Sequence, residues 1–429
     1  MSLKITRALP ELVENDIITD EIAQNIKAHY EKHNINDSNR LVTIFGILGA
    51  TLVGLGIILI MAHNWDHFPR IIKVMLAFLP MLVGQAILGF SIVKSKSTAW
   101  KEAATVFLFL SVGVCIASVS QIYHISGDLE SFLLAWVVLC TPLIYVTKST
   151  SAIILHLIFI TYYTFEANFG VRTGSLAPLY YLILLAIPIP RYIQLLKSNV
   201  KSPALIAFHW LFPLSLMLAL PLFIGSAYFT GLLIYILLYG LFYNIGKHSY
   251  FKNASLWQNG YLFLGAIGTI FLLFAASSRM AWRMLQYANK FDTNEILICL
   301  ILLAAICFVL YRNSRTTTFI KGDLFQYIFF IFGIIFFISN ESGVIATLMI
   351  NILIFAIGLM LIKTGADNVH FGYLNSGMLV LAVLIAFRFY DTNISFELRG
   401  LLFVLIGGGF FAANYIKLKK QKTRNNSKT

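Results

Sequence analysis

The sequence predicts an all-α fold: a polytopic transmembrane helical bundle of about 14 spans, within a range of about 12 to 14, behind a short N-terminal cytoplasmic helical hairpin. Three observations lead there. Of 429 residues, 59% are hydrophobic and 12% charged, with 36 Phe and 20 Tyr, more apolar surface than a water-soluble core of this length can bury. Uncharged runs close to the thickness of the hydrocarbon layer recur from residue 42 onward. The remaining charges gather in the short connections between those runs. Lipid offers unpaired backbone groups no partner, so each run is read as a helix.

Residues 1–40 read as a small cytoplasmic segment. Leu9, Leu12 and Val13 share one face of a short helix that is interrupted at Asn15-Asp16. Thr19 then reads as an N-cap, with Asp20 and Glu21 in the first turn, where the helix dipole favours acids. The second helix is expected to run to about His33, with Ile22, Ile26 and Tyr30 four apart. Only Lys27 and Lys32 are basic on it. A hairpin packed on the membrane domain or on a protein partner is therefore favoured over a DNA-reading helix-turn-helix. The first forty residues carry no cleavable leader, so the first span is expected to act as an uncleaved insertion signal.

The membrane domain covers 41–416, followed by a basic cytoplasmic tail at 417–429. Its apolar stretches fall at about 42–62, 71–93, 104–122, 131–147, 150–168, 176–193, 203–222, 226–246, 257–277, 295–311, 323–339, 342–362, 371–389 and 398–416. Tight connections near Lys148, Gly225 and Glu341 are the places where neighbouring spans can merge. All 10 prolines precede residue 222, and Pro80, Pro142, Pro188, Pro190 and Pro213 lie within spans. Each removes a backbone hydrogen bond, so kinks are expected in the first half and straighter rods in the second. No internal repeat is evident.

With the amino end inside, inner segments hold 24 of the 32 basic residues, six of them in the tail from Lys417 to Lys428. That bias puts both termini in the cytoplasm. The net charge of +13 then faces anionic headgroups, which makes membrane lipids the expected partner and not nucleic acid. Trp65 and Trp282 at outer ends, with Trp100 and Trp257 at inner ends, match aromatic belts. Cys115, Cys140, Cys299 and Cys307 all lie inside predicted spans, so no disulfide is expected.

The densest polar cluster is outer: His63-Asn64-Trp65-Asp66-His67, then Pro69-Arg70 and Lys73. His63, Asp66 and His67, with His124 and Asp128 of the next outer loop, are the weak metal-ligand candidates. The competing reading is an interfacial connector in which Asp66 pairs with Arg70. It is favoured, because the spacing matches no zinc motif and no metal is assigned. A candidate outer vestibule gathers Asp66, Arg70, Lys73, Tyr123, His124, Asp128, Glu166, Arg279, Arg283, Arg388, Asp391 and Arg399, several of them at span ends where snorkelling also suffices. Gln85, His156, His209, Asn351 and Asn375 are the mid-membrane polar candidates, for which interhelical hydrogen bonding is the commoner role. Gly46, Ala50 and Gly54, and Gly408 with Ala412, read as close-packing seams. The sequence contains no phosphate loop, nucleophile elbow, dinucleotide fingerprint or HExxH helix, so neither catalytic residue nor cofactor is assigned.

The run Leu12-Val13-Glu14-Asn15-Asp16-Ile17-Ile18-Thr19-Asp20-Glu21-Ile22-Ala23 occurs with a glycine-rich first span leading into Ala62-His63-Asn64-Trp65-Asp66 and Pro69-Arg70. This combination resembles the bacterial membrane proteins grouped as domain of unknown function 2157. Gln121-Ile122-Tyr123-His124-Ile125-Ser126-Gly127-Asp128 resembles the same group's next outer loop. Asn15-Asp16 departs from the glycine-bearing turn of that pattern. The resemblance covers about residues 9–130. It implies a bacterial inner-membrane protein and brings no activity to any residue. Three function classes follow, in order of preference: a transporter or flippase-like bundle, a membrane scaffold or sensor working through the hairpin, and a membrane enzyme with an outer-loop His/Asp site.

Overall fold

The computed structural model describes residues 9, 12–13, 15, 18–64, 68–169, 176–198, 202–224, 228–252, 254–286, 293–314, 323–339, 343–367, 370–391, 404, 408 and 411. Side chains are described at these positions except 27–41, 43, 57–58, 61–64, 169, 198, 228–229, 283–286 and 388–391. Regular structure among the described residues is helical, with no strand. The chain divides into two units, Met1–Ser215 and Leu216–Thr429.

The first unit contains α1 (Asp20–Asn64), α2 (Arg70–Val93), α3 (Thr98–Ile122), α4 (Leu129–Cys140), α5 (Leu143–Thr147), α6 (Thr150–Phe169), α7 (Ala177–Ala186) and α8 (Ile189–Ser198). The division falls within α9 (Pro203–Ala219). The second unit holds α10 (Pro221–Ile224), α11 (Tyr228–Gly246), α12 (Gly260–Ala275), α13 (Arg279–Gln286), α14 (Thr293–Ser314), α15 (Ile328–Ile338), α16 (Val344–Asp367) and α17 (Phe371–Asp391). Short 3-10 turns occupy Ser249–Phe251, Leu256–Gln258 and Leu324–Tyr327.

The helical class is as the sequence predicts, while the described residues do not confirm the span count of about 14. Among the described residues, eight helical segments are long and apolar enough to cross a membrane, and five shorter apolar helices accompany them. The last predicted stretch, 398–416, lies outside the described residues apart from three positions. At the amino end, positions 9, 12 and 13 are helical and Asn15 turns, as expected. The Ile18 N–H donates back to the Leu12 carbonyl at 3.3 Å, closing that first arm. A helix then starts at Asp20 after Thr19, but it does not stop near His33. It runs on as the single 45-residue α1 into the first span.

Proline acts selectively. α2 and α9 continue through Pro80 and Pro213, whereas the chain breaks between α4 and α5 at Pro142 and between α7 and α8 at Pro188. The segment after residue 222 has no proline, and α14, α16 and α17 run uninterrupted for 22, 24 and 21 residues. Lys148 takes a left-handed conformation (φ 52°) that ends α5, so α5 and α6 stay separate helices.

In the first unit α3 is the central rod, contacting α1, α2, α4 and α6. Its small residues explain this: Ala104, Ser111, Gly113 and Ser118 are all buried and let several neighbours close in. Gly46 and Gly54 of α1 face Ala103 and Leu110 of α3, so the predicted first-span seam is used. The peripheral α2 buries one stripe only, Ala77, Pro80, Gly84, Leu88 and Ser91. In the second unit α11 plays the central part, against α12, α14 and α15, around buried Phe242, Phe329, Phe332 and Ile350. The tightest pair, α16 and α17, meets at Gly377, where an added Cβ would lie 2.7 Å from the Gly358 carbonyl oxygen. Gly408 of the other predicted seam has no atom within 4 Å of such a Cβ.

Candidate functional site

In the first unit, polar groups converge around the break between α7 and α8. Within a helix the Leu184 carbonyl would accept from the N–H of residue 188, but Pro188 has none. His156 of α6 supplies the missing donor: its Nε2 lies 2.9 Å from the Leu184 oxygen. A carbonyl only accepts, so Nε2 carries a proton. His156 is 1% exposed, and its Nδ1 has no partner among the described residues. The Tyr145 hydroxyl donates to the Ile187 carbonyl at the same break. Five residues along α6, the Thr161 hydroxyl donates to Ser215 Oγ at 2.7 Å, and Tyr181 Oη lies 3.0 Å from that oxygen. α6, α7 and α9 are thus joined by one buried polar string. His209, also buried, packs edge-on against Tyr192, with centroids 5.8 Å apart.

A second polar centre lies where α3 meets the start of α6. Glu102 is 6% exposed. Its carboxylate accepts from the Ser149 hydroxyl, from the Thr150 N–H at 2.8 Å and from the Ser151 N–H at 2.9 Å. A helix N-terminus leaves such N–H groups without intrahelical acceptors, and here a neighbouring helix provides the anion. The sequence reading missed Glu102 because it placed the 94–103 region in a charged connection. The Ser149-Thr150-Ser151 run beside a lone acid was the available signal.

The residues expected in the outer loops assemble only in part. Arg70 Nη2 donates to the Ile122 carbonyl at 3.4 Å, and its guanidinium lies 5.4 Å from the Tyr123 ring centroid. Arg70 therefore closes the carbonyl end of α3, joining two of the motifs that carry the family resemblance. The expected Asp66–Arg70 pairing falls on Asp66, which with His67 lies outside the described residues. The His63 side chain does too. Tyr123, His124 and Asp128 are exposed. Asp128 caps α4 by accepting from the Ser131 N–H at 2.8 Å. No group of three or more His, Cys, Asp or Glu is placed to hold a metal among the described residues. Lys73 and Glu166 are half-buried.

In the second unit the polar residues form inter-helix ties. The Tyr243 hydroxyl donates to Asp323 Oδ2, which also pairs with Lys247 at 3.2 Å. Asn244 donates to the Gln326 carbonyl at 3.1 Å, and Asn313 to the Asn244 carbonyl at 3.0 Å. Asn351 donates to the Ser277 carbonyl at 3.1 Å. Gln85 and Asn375, read as deep polar groups, are exposed on their helices: hydropathy gives depth along a span but not the side it faces. Trp282 is corrected as well. It is 2% exposed, donates to the Ala276 carbonyl at 2.7 Å and packs near Phe332 and Phe336 rather than in a lipid belt. Trp100 and Trp257 are exposed as belt residues would be. Arg279 is exposed. The side chains of Arg283, Arg388 and Asp391, and all of Arg399, fall outside the described residues.

These features define a polytopic helical membrane protein. Residues 10–153, about the first third of the chain, match the family model described as Predicted membrane protein (DUF2157). No curated protein and no solved structure matches the chain.

Proposed function

We propose that the protein is a transporter or flippase-like membrane protein whose moving part is the interrupted span Ala177–Lys197. One observation carries the reading: a buried imidazole bridges a proline-made break and keeps one ring nitrogen without a partner among the described residues. Broken spans are where membrane transporters meet polar solutes, because freed backbone and side-chain groups there can exchange a protein partner for a ligand. Exchange of the His156–Leu184 contact frees α7 and α8 to change angle, and the Thr161–Ser215–Tyr181 string lines the same helices. In this reading the membrane is the bacterial inner membrane, with both termini cytoplasmic, as the distribution of Lys and Arg supports. Glu166 and Lys73 then belong to the outer entrance.

The test needs no known substrate. Ser215→Cys is introduced into a chain stripped of its four native cysteines and reconstituted into liposomes. A transporter exposes position 215 to a membrane-impermeant thiol reagent from one face or the other. Complete protection from both faces, in well-folded protein, removes the reading.

A second reading, a scaffold or sensor, is supported by α1. Its 45 residues extend about 67 Å, against about 30 Å of hydrocarbon, and its apolar stretch is Ile44–Gly56. About half the helix is then a cytoplasmic stalk continuous with a span, suited to contact a protein partner. Residues 1–40 are the partner-binding segment in that case.

A further inference from the structure

The exposed side of α2 carries one residue that lipid alone does not explain. Met75, Phe78, Leu82, Gln85, Gly89 and Ile92 follow one another at alternating steps of three and four. This is the spacing of a helix–helix seam. All six are exposed, and they lie to one side of the Ala77, Pro80, Gly84, Leu88 and Ser91 stripe that is buried within the chain. The apolar members are comfortable in hydrocarbon. Gln85 is not. It lies about 22 Å along the helix from Arg70 and about 12 Å short of Val93, too deep for its short side chain to reach an interface. Its carboxamide has two donors and an acceptor, and no described residue meets them.

We propose that this face of α2 is a homodimer interface, in which the Gln85 amides of two copies hydrogen-bond to each other inside the membrane. Four features select a second copy as the occupant. Every copy inserts with the same orientation, so two α2 helices related by a two-fold axis along the membrane normal run parallel and place residue 85 against residue 85. A carboxamide complements itself, since each donates an N–H to the other's oxygen. Gly89, one turn further on, has nothing within 4 Å of an added Cβ, which leaves room for the second backbone to approach. The seam carries no charge that would call for an oppositely charged partner.

The experiment uses the full chain in lipid bilayers at low protein density, with subunits counted by single-molecule photobleaching. The native chain is expected to dimerise, Gln85→Asn to retain dimers, and Gln85→Leu to weaken association about three- to thirty-fold. Gln85→Leu should leave the melting temperature of the monomer unchanged, because the exposed side chain makes no hydrogen bond to any described residue. In a background lacking native cysteines, Leu82→Cys and Gly89→Cys should cross-link on oxidation. Leu79→Cys and Val83→Cys, exposed but flanking, should not. A monomeric native chain, undiminished association of Gln85→Leu, loss of monomer stability in that variant, or cross-linking strongest at 79 and 83 would each overturn the proposal.

Discussion

Two buried polar side chains of the first unit, Glu102 and His156, serve backbone groups that the chain's own geometry leaves without partners. Glu102 answers the open N–H groups at the start of α6, and His156 answers the carbonyl that Pro188 deprives of a donor. Glu102→Gln replaces an anion, which accepts on both oxygens, by an amide whose nitrogen cannot accept. It should cost about 1–3 kcal/mol in detergent-solubilised unfolding, with Glu102→Ala costing more. The Pro188 junction allows a sharper measurement. Pro188→Ala restores the N–H that Leu184 lacks, so His156→Leu should destabilise the native chain by about 1 kcal/mol and the Pro188→Ala chain by clearly less. Equal losses in both backgrounds would show that His156 acts through packing alone. At this scale the sequence was partly legible. His156 was recognisable as a lone polar group in a span, with interhelical bonding as its commonest role. Its pairing with the proline on another helix was not, because only tertiary packing decides which orphaned carbonyl a donor reaches.

Helix ends were legible wherever proline, glycine or a polar run marked them, and illegible where a helix changed environment without a stop signal. α2, α6 and α14 begin and end within a few residues of the hydropathy boundaries, because the apolar run and the helix are the same object there. In α1 they are not. Residues 20–41 contain neither glycine nor proline, so nothing obliges the backbone to leave the helix as the side chains turn from polar to apolar. Spin labels at Gln24 and Ile44 should therefore report about 30 Å, the length of twenty uninterrupted residues. A markedly shorter distance would restore the helix end near His33 that the sequence suggested. Where helices pair closely, a side chain cannot be added cheaply. Gly377→Leu should separate α16 from α17, since even a Cβ would lie 2.7 Å from the backbone of α16. The expected result is a loss of several degrees in melting temperature, on the scale of about 1–3 kcal/mol for an overpacked contact. An unshifted transition would mean that the pair does not pack as described.

For the molecule as a whole, the fold class follows from solvent: a chain this apolar must satisfy its backbone internally, and helices do so. Among the described residues, how many helices cross is decided by the five shorter ones. α11 contributes the apolar stretch Thr230–Gly246 and α12 spans Gly260–Ala275, about 26 and 24 Å of helix. Both fall a few ångströms short of the hydrocarbon thickness, a mismatch that local thinning accommodates at modest cost. Their connection favours crossing. It carries Lys247, His248 and Lys252 and an exposed Trp257, and Asn259 ties it shut by donating to the Gly246 carbonyl at 2.8 Å. A basic, aromatic, tightly closed turn belongs at a membrane surface between two antiparallel spans. The next connection, after α12, runs through Arg279 toward Lys290 and should emerge on the opposite side. Lys252→Cys and Lys290→Cys, each in a chain lacking native cysteines, should therefore react with an impermeant thiol reagent from opposite faces of the membrane. If both react from one face, α12 does not cross, and among the described residues the count of crossing helices falls back toward the eight that are long enough unaided.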